Sequence, residues 1–397
     1  MGTQHNTPDE RFGVVDGGGR GALEGLRVAD FSRVLAGPYA TMLLADLGAD
    51  VVKVERPGIG DDTRAWHPPA DRDGTSTYFL SVNRNKRSVV LDLTTETGLA
   101  HARALVAESD VLVENFRPGT MERLGLGPRE LRSRHPGLVY CSISGFGSGA
   151  GAAIPGYDLL VQAVGGLMSV TGEADGGPVK AGVALVDVIT GLHASLGILA
   201  ALRHRDATGE GQCVEVNLLG SLLSAMVNQA SAFAVAGVVP GRMGNAHPSI
   251  APYETFPAAD RPIALAVGND RQFAALAEAV GDPGLADDDR FRTNADRVAH
   301  RAELRDILTE RLAAAGADHW SAVLLAAGVP AGPVNSLDEA FDFARKLGLP
   351  GIVDLPSDAG EGRPSRQVAS PIALSGTPAQ YRLPPPRLGQ HTAEILR

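Results

Sequence analysis

An α/β fold is predicted, with a doubly wound, mostly parallel sheet in a large domain and a smaller α+β domain. Three observations predict it. Short β-rich runs alternate with helical stretches of ten-odd residues through the N-terminal half, and strands so separated need crossover connections. The 397 residues are 44% hydrophobic, enough for a large core and more than one domain. Beyond a Gly- and Pro-rich stretch, Gly237 to His247, helices dominate.

Taken in order, Arg27–Phe31 reads as a strand, Tyr39–Leu47 as a helix after Gly37-Pro38, and Asp50–Glu55 as a second strand. Lys86–Leu93 reads as a third strand, Thr95–Glu108 as a helix, Val111–Val113 as a strand, Pro128–Arg134 as a short helix and Leu138–Ile143 as a strand. A long apolar helix runs from Val188 to about Arg205, followed by a strand at Gln212–Val216 and a helix over Leu218–Val235. Ile263–Val267 is a strand, and a helical region from Asp270 to about Ala327 contains the acidic loop Asp287–Asp289. From Gly328 onward short strands alternate with Pro-rich turns. The implied organisation is a flexible tail at 1–22, a large Rossmann-like domain at 23–220 and a linker helix and loop at 221–247. A small domain at 248–330 and a C-terminal segment at 331–397 that returns to the large domain complete it.

A formal net charge of -10 argues against nucleic acid or an acidic membrane as partner, since either would meet a broad basic surface. No segment reaches the ~20 uninterrupted apolar residues of a membrane span. Cys141 and Cys213 have no metal-ligand spacing and suggest structural thiols in a reducing compartment. The first twenty residues lack an apolar signal region, so a cytoplasmic location is expected.

Asp187 is the most informative residue. It lies between the apolar run Gly182–Val186 and the apolar helix beginning at Val188, where a carboxylate is costly to dehydrate without donors. It reads as an N-cap of that helix. The helix dipole would also keep it ionised, so a nucleophile is compatible with the same position.

Arg56–Arg64 and Asn83–Ser88 concentrate positive charge at the carboxyl ends of strands, which suits a phosphate-bearing ligand. Glu114–Leu124 adds amide, aromatic and guanidinium groups suited to a purine and its phosphates. Nicotinamide dinucleotides are disfavoured, because the first strand–helix junction, Ser32–Pro38, has a single glycine.

From about Leu23 to the C-terminus the sequence resembles the family III CoA-transferases, which include formyl-CoA and carnitine CoA-transferases and the α-methylacyl-CoA racemases. The markers occur in order: Asp30–Pro38, Val54–Asp61, Asn83–Ser88, Glu114–Gly119, Gly156-Tyr157-Asp158, Thr208–Gln212, Gly328–Val334 and Leu388–Thr392. The resemblance implies Asp187 as the catalytic aspartate. It implies CoA contacts at Leu35, Ala36, Arg56, Leu91, Asn115, Phe116, Arg117, Arg123, Tyr157 and Asp158. It also implies chains interlocked as a ring-like homodimer, no tightly bound cofactor and no metal, with acyl-CoA and a carboxylic acid as substrates.

The chemistry expected of Asp187 is attack on a thioester to give an acyl-aspartyl anhydride, then an enzyme-CoA thioester that an acceptor carboxylate attacks. The racemase branch is the alternative, with a histidine in Gly-His-Asp as proton shuttle. Tyr157 stands there instead, and a phenol with a pKa of about 10 shuttles protons poorly at neutral pH. His193 and His247 read as packing or surface residues. Formyl and oxalyl transferases of the family carry Gln where Leu35 stands and a glycine run where Pro248–Thr255 lies, which points instead to a dicarboxylyl donor such as succinyl-CoA.

Overall fold

The computed structural model describes residues 21–355 and 365–397, so nearly all of the expected 1–22 tail lies outside the described residues. The chain divides into two compact units. The first holds the described residues up to Gly165, with Gly182–Ser231 and Gly348–Arg397; the second holds Gly166–Ala181 and Ala232–Leu347. The sequence places 166–181 with the large domain and 331–347 with the C-terminal segment, and in both stretches the chain is packed with the second unit.

In the first unit, β1 (Arg27–Asp30), β2 (Asp50–Glu55), β3 (Lys86–Val90), β4 (Val111–Glu114), β5 (Val139–Ser144) and β6 (Cys213–Asn217) form one sheet. All its pairs are parallel, in the order β3-β2-β1-β4-β5-β6. Val51, Val52, Val111, Leu112 and Val113 have no exposed surface, as expected of strands covered on both faces. The helices are α1 (Ala36–Asp46), α2 (Thr77–Ser81), α3 (Glu96–Ala107), α4 (Thr120–Arg123), α5 (Pro128–Arg134) and α6 (Asp158–Val164). They are followed by α7 (Leu167–Val170), in the second unit, then α8 (Leu185–Thr208), α9 (Leu218–Ala225) and α10 (Val227–Ala236). Strand order reverses between β1 and β4, and at such a switch point the connections part and leave a crevice at the carboxyl ends of the strands.

By length and composition alone, α8 would qualify as a membrane span. Its small residues pack instead on α1: an added Cβ at Gly191 would lie 2.7 Å from the Ala36 carbonyl oxygen, and Ser195 Oγ donates to Ala40 O at 3.4 Å. The single helix expected over Leu218–Val235 is two, α9 and α10, bent by 83°. The break falls at Met226, between the two helices, and Val227, which opens α10, has a φ of 33° that does not continue the α9 geometry.

The second unit is built on an antiparallel sheet of β7 (Tyr253–Pro257), β8 (Pro262–Ala266) and β9 (Ala331–Pro333). Helices α11 (Asp270–Ala279), α12 (Asn294–Ala299), α13 (Arg301–Leu312) and α14 (Ala317–Ala326) enclose a core containing Phe256, Leu265, Phe273, Leu308, Trp320 and Leu324. Where turns and short strands are expected after Gly328, α15 (Leu337–Lys346) forms, started by a Ser336/Glu339 capping box. A hairpin of β10 (Ile352–Leu355) and β11 (Ser365–Val368), and α16 (Thr392–Ile395), belong to the first unit.

Candidate active site

Asp187 stands in the first turn of α8 as the third helical residue; the N-cap is Ala184, which makes no side-chain cap bond. The expected N-cap role is therefore corrected. Asp158, the first residue of α6, does the capping: its Oδ1 accepts the Val186 N–H at 2.8 Å and the Asp187 N–H at 3.3 Å. Burial, and then the charge of Asp158, push the Asp187 carboxyl up to about 7. The helix N-terminus does not hold it ionised, because the amides that would do so face another carboxylate.

Gly156 explains how Asp158 reaches this place. An added Cβ there would lie 2.5 Å from the Gly145 Cα, so only bare backbone lets the Gly156-Tyr157-Asp158 segment close over the end of β5. Tyr78, on α2, was not legible as a site residue. Burial and the charges of Asp187 and Asp158 push its phenol up to about 12, so it faces the two carboxylates as a neutral hydroxyl.

The loop after β1 is tied by polar side chains at successive backbone groups. Ser32 N–H donates to Asp30 Oδ1 (2.9 Å) and Lys53 Nζ to Ser32 O (2.9 Å). Arg33 N–H donates to Asn115 Oδ1 (2.8 Å), Asn115 Nδ2 to Arg33 O (2.7 Å), and Val34 N–H to both Asp61 oxygens (3.3 Å). Val34 has φ 69°, a conformation costing a β-branched residue about 1–2 kcal/mol. Asp61 and Lys53 are buried and paired at 2.8 Å. Burial acts to raise the Asp61 carboxyl, but Lys53 and Thr63 prevail and hold it at about 2.

Two cavities open at the strand ends. The first, about 200 Å³, is lined by Leu35, Ala36, Asn115, Phe116, Arg117, Tyr157 and Asp187, which joins six of the expected CoA contacts to the aspartate. The second, about 500 Å³, is lined by Arg56 and Leu91 together with Asp92–Thr94 and Leu124. Arg33 and Phe116 line both, with the guanidinium 4.9 Å above the ring. Arg56 is half-exposed and pairs with Asp62. Arg123 is exposed and donates to Thr120, itself on the wall of the second cavity. Asp158 lines neither cavity among the described residues and is engaged with α8 and with Gln162 Nε2 (2.6 Å).

The expected phosphate cluster at Asn83–Ser88 is a structural network instead. Arg84 is buried on Asp46 (2.6 Å) and Lys86 on Asp30 (3.1 Å). Burial brings the Lys86 ammonium down to about 8 despite Asp30. At the end of β4, burial pushes the Glu114 carboxyl up to about 7 against the opposing Ser142 and Phe116 N–H donors. Among the described residues no group of three or more His, Cys, Asp or Glu could hold a metal.

A nucleophile-like carboxylate thus shares a cleft with a loop–aromatic–guanidinium wall that runs on into a larger cavity. The sequence profile of CoA-transferase family III matches residues 23–392. The chain belongs to this family. It is 46% identical to the succinate–glutarate CoA-transferase of Agrobacterium fabrum, covering 94% of each chain. It is 40% identical to the succinyl-CoA:glutarate CoA-transferase of Mus musculus, over 94% of this chain and 86% of that one. The crystal structure of a CAIB/BAIF family protein from Brucella suis superposes with a TM-score of 0.84 and 42% identity, covering 95% of this chain and 99% of that chain. This family III protein is a CoA-transferase, acting between acyl-CoA thioesters and carboxylic acids.

Proposed function

We propose that this CoA-transferase exchanges CoA between a dicarboxylyl thioester, succinyl-CoA first among them, and a dicarboxylic acid acceptor through covalent intermediates on Asp187. The observation that carries the reading is the cleft in which Asp187 meets Leu35, Ala36 and Asn115–Arg117. The CoA nucleotide is assigned to the larger cavity around Arg56 and Leu91, and its pantetheine arm to the Arg33–Phe116 wall shared by the two. Succinyl as the donor is supported by the names of the two relatives.

In the ionised form, an Asp187 oxygen attacks the thioester carbonyl and the CoA thiolate leaves, giving an acyl-aspartyl anhydride. The thiolate then attacks the aspartyl carbonyl and releases the donor acid, leaving an aspartyl-CoA thioester. Attack of the acceptor carboxylate on that thioester expels the thiolate and gives a second anhydride. The thiolate attacks its acceptor carbonyl, releasing the product thioester and free Asp187. Each intermediate is vulnerable to water, so the cleft must exclude it during turnover.

We place the enzyme in the cytoplasm as an interlocked homodimer. Apolar side chains left exposed in each unit support the second point: Leu196 is 67% exposed in the first, Val235 85% and Leu337 74% in the second. Light scattering giving a monomer mass would reject the dimer. For the activity, succinyl-CoA radiolabelled in its CoA moiety is incubated with a panel of mono- and dicarboxylates including oxalate and glutarate, and the acceptor thioester is followed. Enzyme quenched with hydroxylamine is then mapped by mass spectrometry. Label passing to a dicarboxylate, with modification at Asp187, is expected; transfer without modification there would reject the covalent route.

A further inference from the structure

Asp158 has no assigned part in the reaction beyond an expected contact to CoA, yet it makes its contacts elsewhere. Helices α6 and α8 meet N-terminus to N-terminus, with a carboxylate in the first turn of each. One oxygen of Asp158 accepts both the Val186 and the Asp187 amides, and the other is held by Gln162, which has no exposed surface. A carboxylate fixed on the nucleophile's own backbone N–H cannot move away from it.

We infer that Asp158 is the positioning residue of the nucleophile: it pins the first turn of α8 and keeps a second negative charge beside Asp187 that acylation of Asp187 relieves. The inference rests on the covalent reading above. When the Asp187 oxygen bonds to the acyl carbon and the thiolate departs, the aspartyl group becomes a neutral anhydride. The negative charge leaves with sulfur, and the repulsion between the two aspartates ends. Free ionised Asp187 is therefore raised in energy relative to its acylated form, and its basicity is raised with it. The carboxyl value of about 7 agrees with this geometry. Facing the pair is also Tyr78 from α2, which stays neutral. Arg33, Asp62 and Arg117 line the same cleft, and His193, further along α8, is bonded to Ser221.

The test is the pH dependence of single-turnover adduct formation at Asp187, with acyl-CoA affinity measured in parallel. In wild type the rate should rise with pH to a midpoint near 7. In Asp158→Asn, which keeps an acceptor for the helix amides but not the charge, the midpoint should fall by about one pH unit or more and the high-pH plateau by roughly tenfold. Affinity for acyl-CoA should stay within about twofold. Asp158→Glu should restore the wild-type midpoint. Gln162→Met provides an independent reading should Asp158→Asn misfold: it removes a donor from the pair and should move the midpoint upward. An unmoved midpoint in folded Asp158→Asn and Gln162→Met, with or without a weakened affinity, would overturn the inference and leave Asp158 as a structural or CoA-contact residue. Wild-type enzyme that forms no adduct at Asp187 would instead overturn the covalent reading itself.

Discussion

The Asn115 side chain closes a two-bond clamp on the Arg33 backbone, accepting its N–H at 2.8 Å and donating to its carbonyl at 2.7 Å. The clamp joins the loops after β4 and β1 across the switch point of the sheet, where the crevice opens. Asn115 lines the cleft, but its amide is committed to protein.

Asn115→Ala should therefore act through the β1 loop. Two partly buried backbone groups lose their partners, which costs about 1–3 kcal/mol in stability. The strained turn at Val34, one residue on, loosens and the KM for acyl-CoA rises. Asn115→Asp should be no better, since a carboxylate can accept the Arg33 N–H but repels the carbonyl oxygen. Urea denaturation and steady-state kinetics check both; wild-type values for Asn115→Asp would show that the clamp is dispensable.

Asp187→Asn should raise stability at alkaline pH while abolishing transfer. An aspartate carboxyl ordinarily titrates at 3.8, as in the unfolded chain, and this one titrates at about 7 in the fold. Between those values the folded protein binds more protons than the unfolded chain, so stability contributed at this site declines as pH rises through that window. Asn carries no charge, and above pH 7 the variant should gain on the order of 1–2 kcal/mol after allowance for solvent screening. Urea midpoints at pH 5 and pH 8 measure the difference; a variant no more stable than wild type at pH 8 would contradict it.

Strand runs such as Val111–Val113, separated by helical stretches, made the parallel sheet legible, and its place between apolar segments made Asp187, which the structure sets in the cleft, stand out. What stayed hidden depends on partners distant in sequence. Arg84 and Lys86 look like a phosphate site until Asp46 and Asp30, 38 and 56 residues away, neutralise them within the core. Asp158 matches a family motif, but its hold on amides 28 residues on is a property of two helix ends meeting. Tyr78 sits on a five-residue helix too short to show a periodicity. The break at Met226 interrupts a run whose apolar pattern continues across it. The Ser336/Glu339 box, by contrast, is a local start signal that was present to be read.

Gly191→Ala should be destabilising in spite of helix propensity. In an open helix the change gains about 1 kcal/mol, but here the new Cβ would lie 2.7 Å from Ala36 O and 3.1 Å from Tyr39 Cδ1. The first of these is backbone and cannot swing aside. Overpacking of this kind costs about 1–3 kcal/mol, and displacing Ala36 disturbs the cleft wall. A lower thermal midpoint with a raised acyl-CoA KM is expected; a higher midpoint would mean that α8 and α1 can separate freely.

Arg56→Ala should separate binding from chemistry. Its guanidinium is half-exposed at the larger cavity, held by Gly60 O at 3.2 Å and by Asp62. A group so placed can meet the anionic nucleotide end of CoA while Asp187, in the other cavity, reacts with the thioester. Loss of one charge-assisted contact to a phosphate should weaken acyl-CoA binding by roughly 10- to 100-fold, with kcat changed by no more than about threefold. A succinyl-pantetheine donor isolates the cause, because it carries the thioester without the nucleotide. With that donor the variant and wild type should have equal kcat/KM. If the variant is impaired equally with both donors, Arg56 acts on the fold or on the thioester end, and the nucleotide does not occupy the larger cavity.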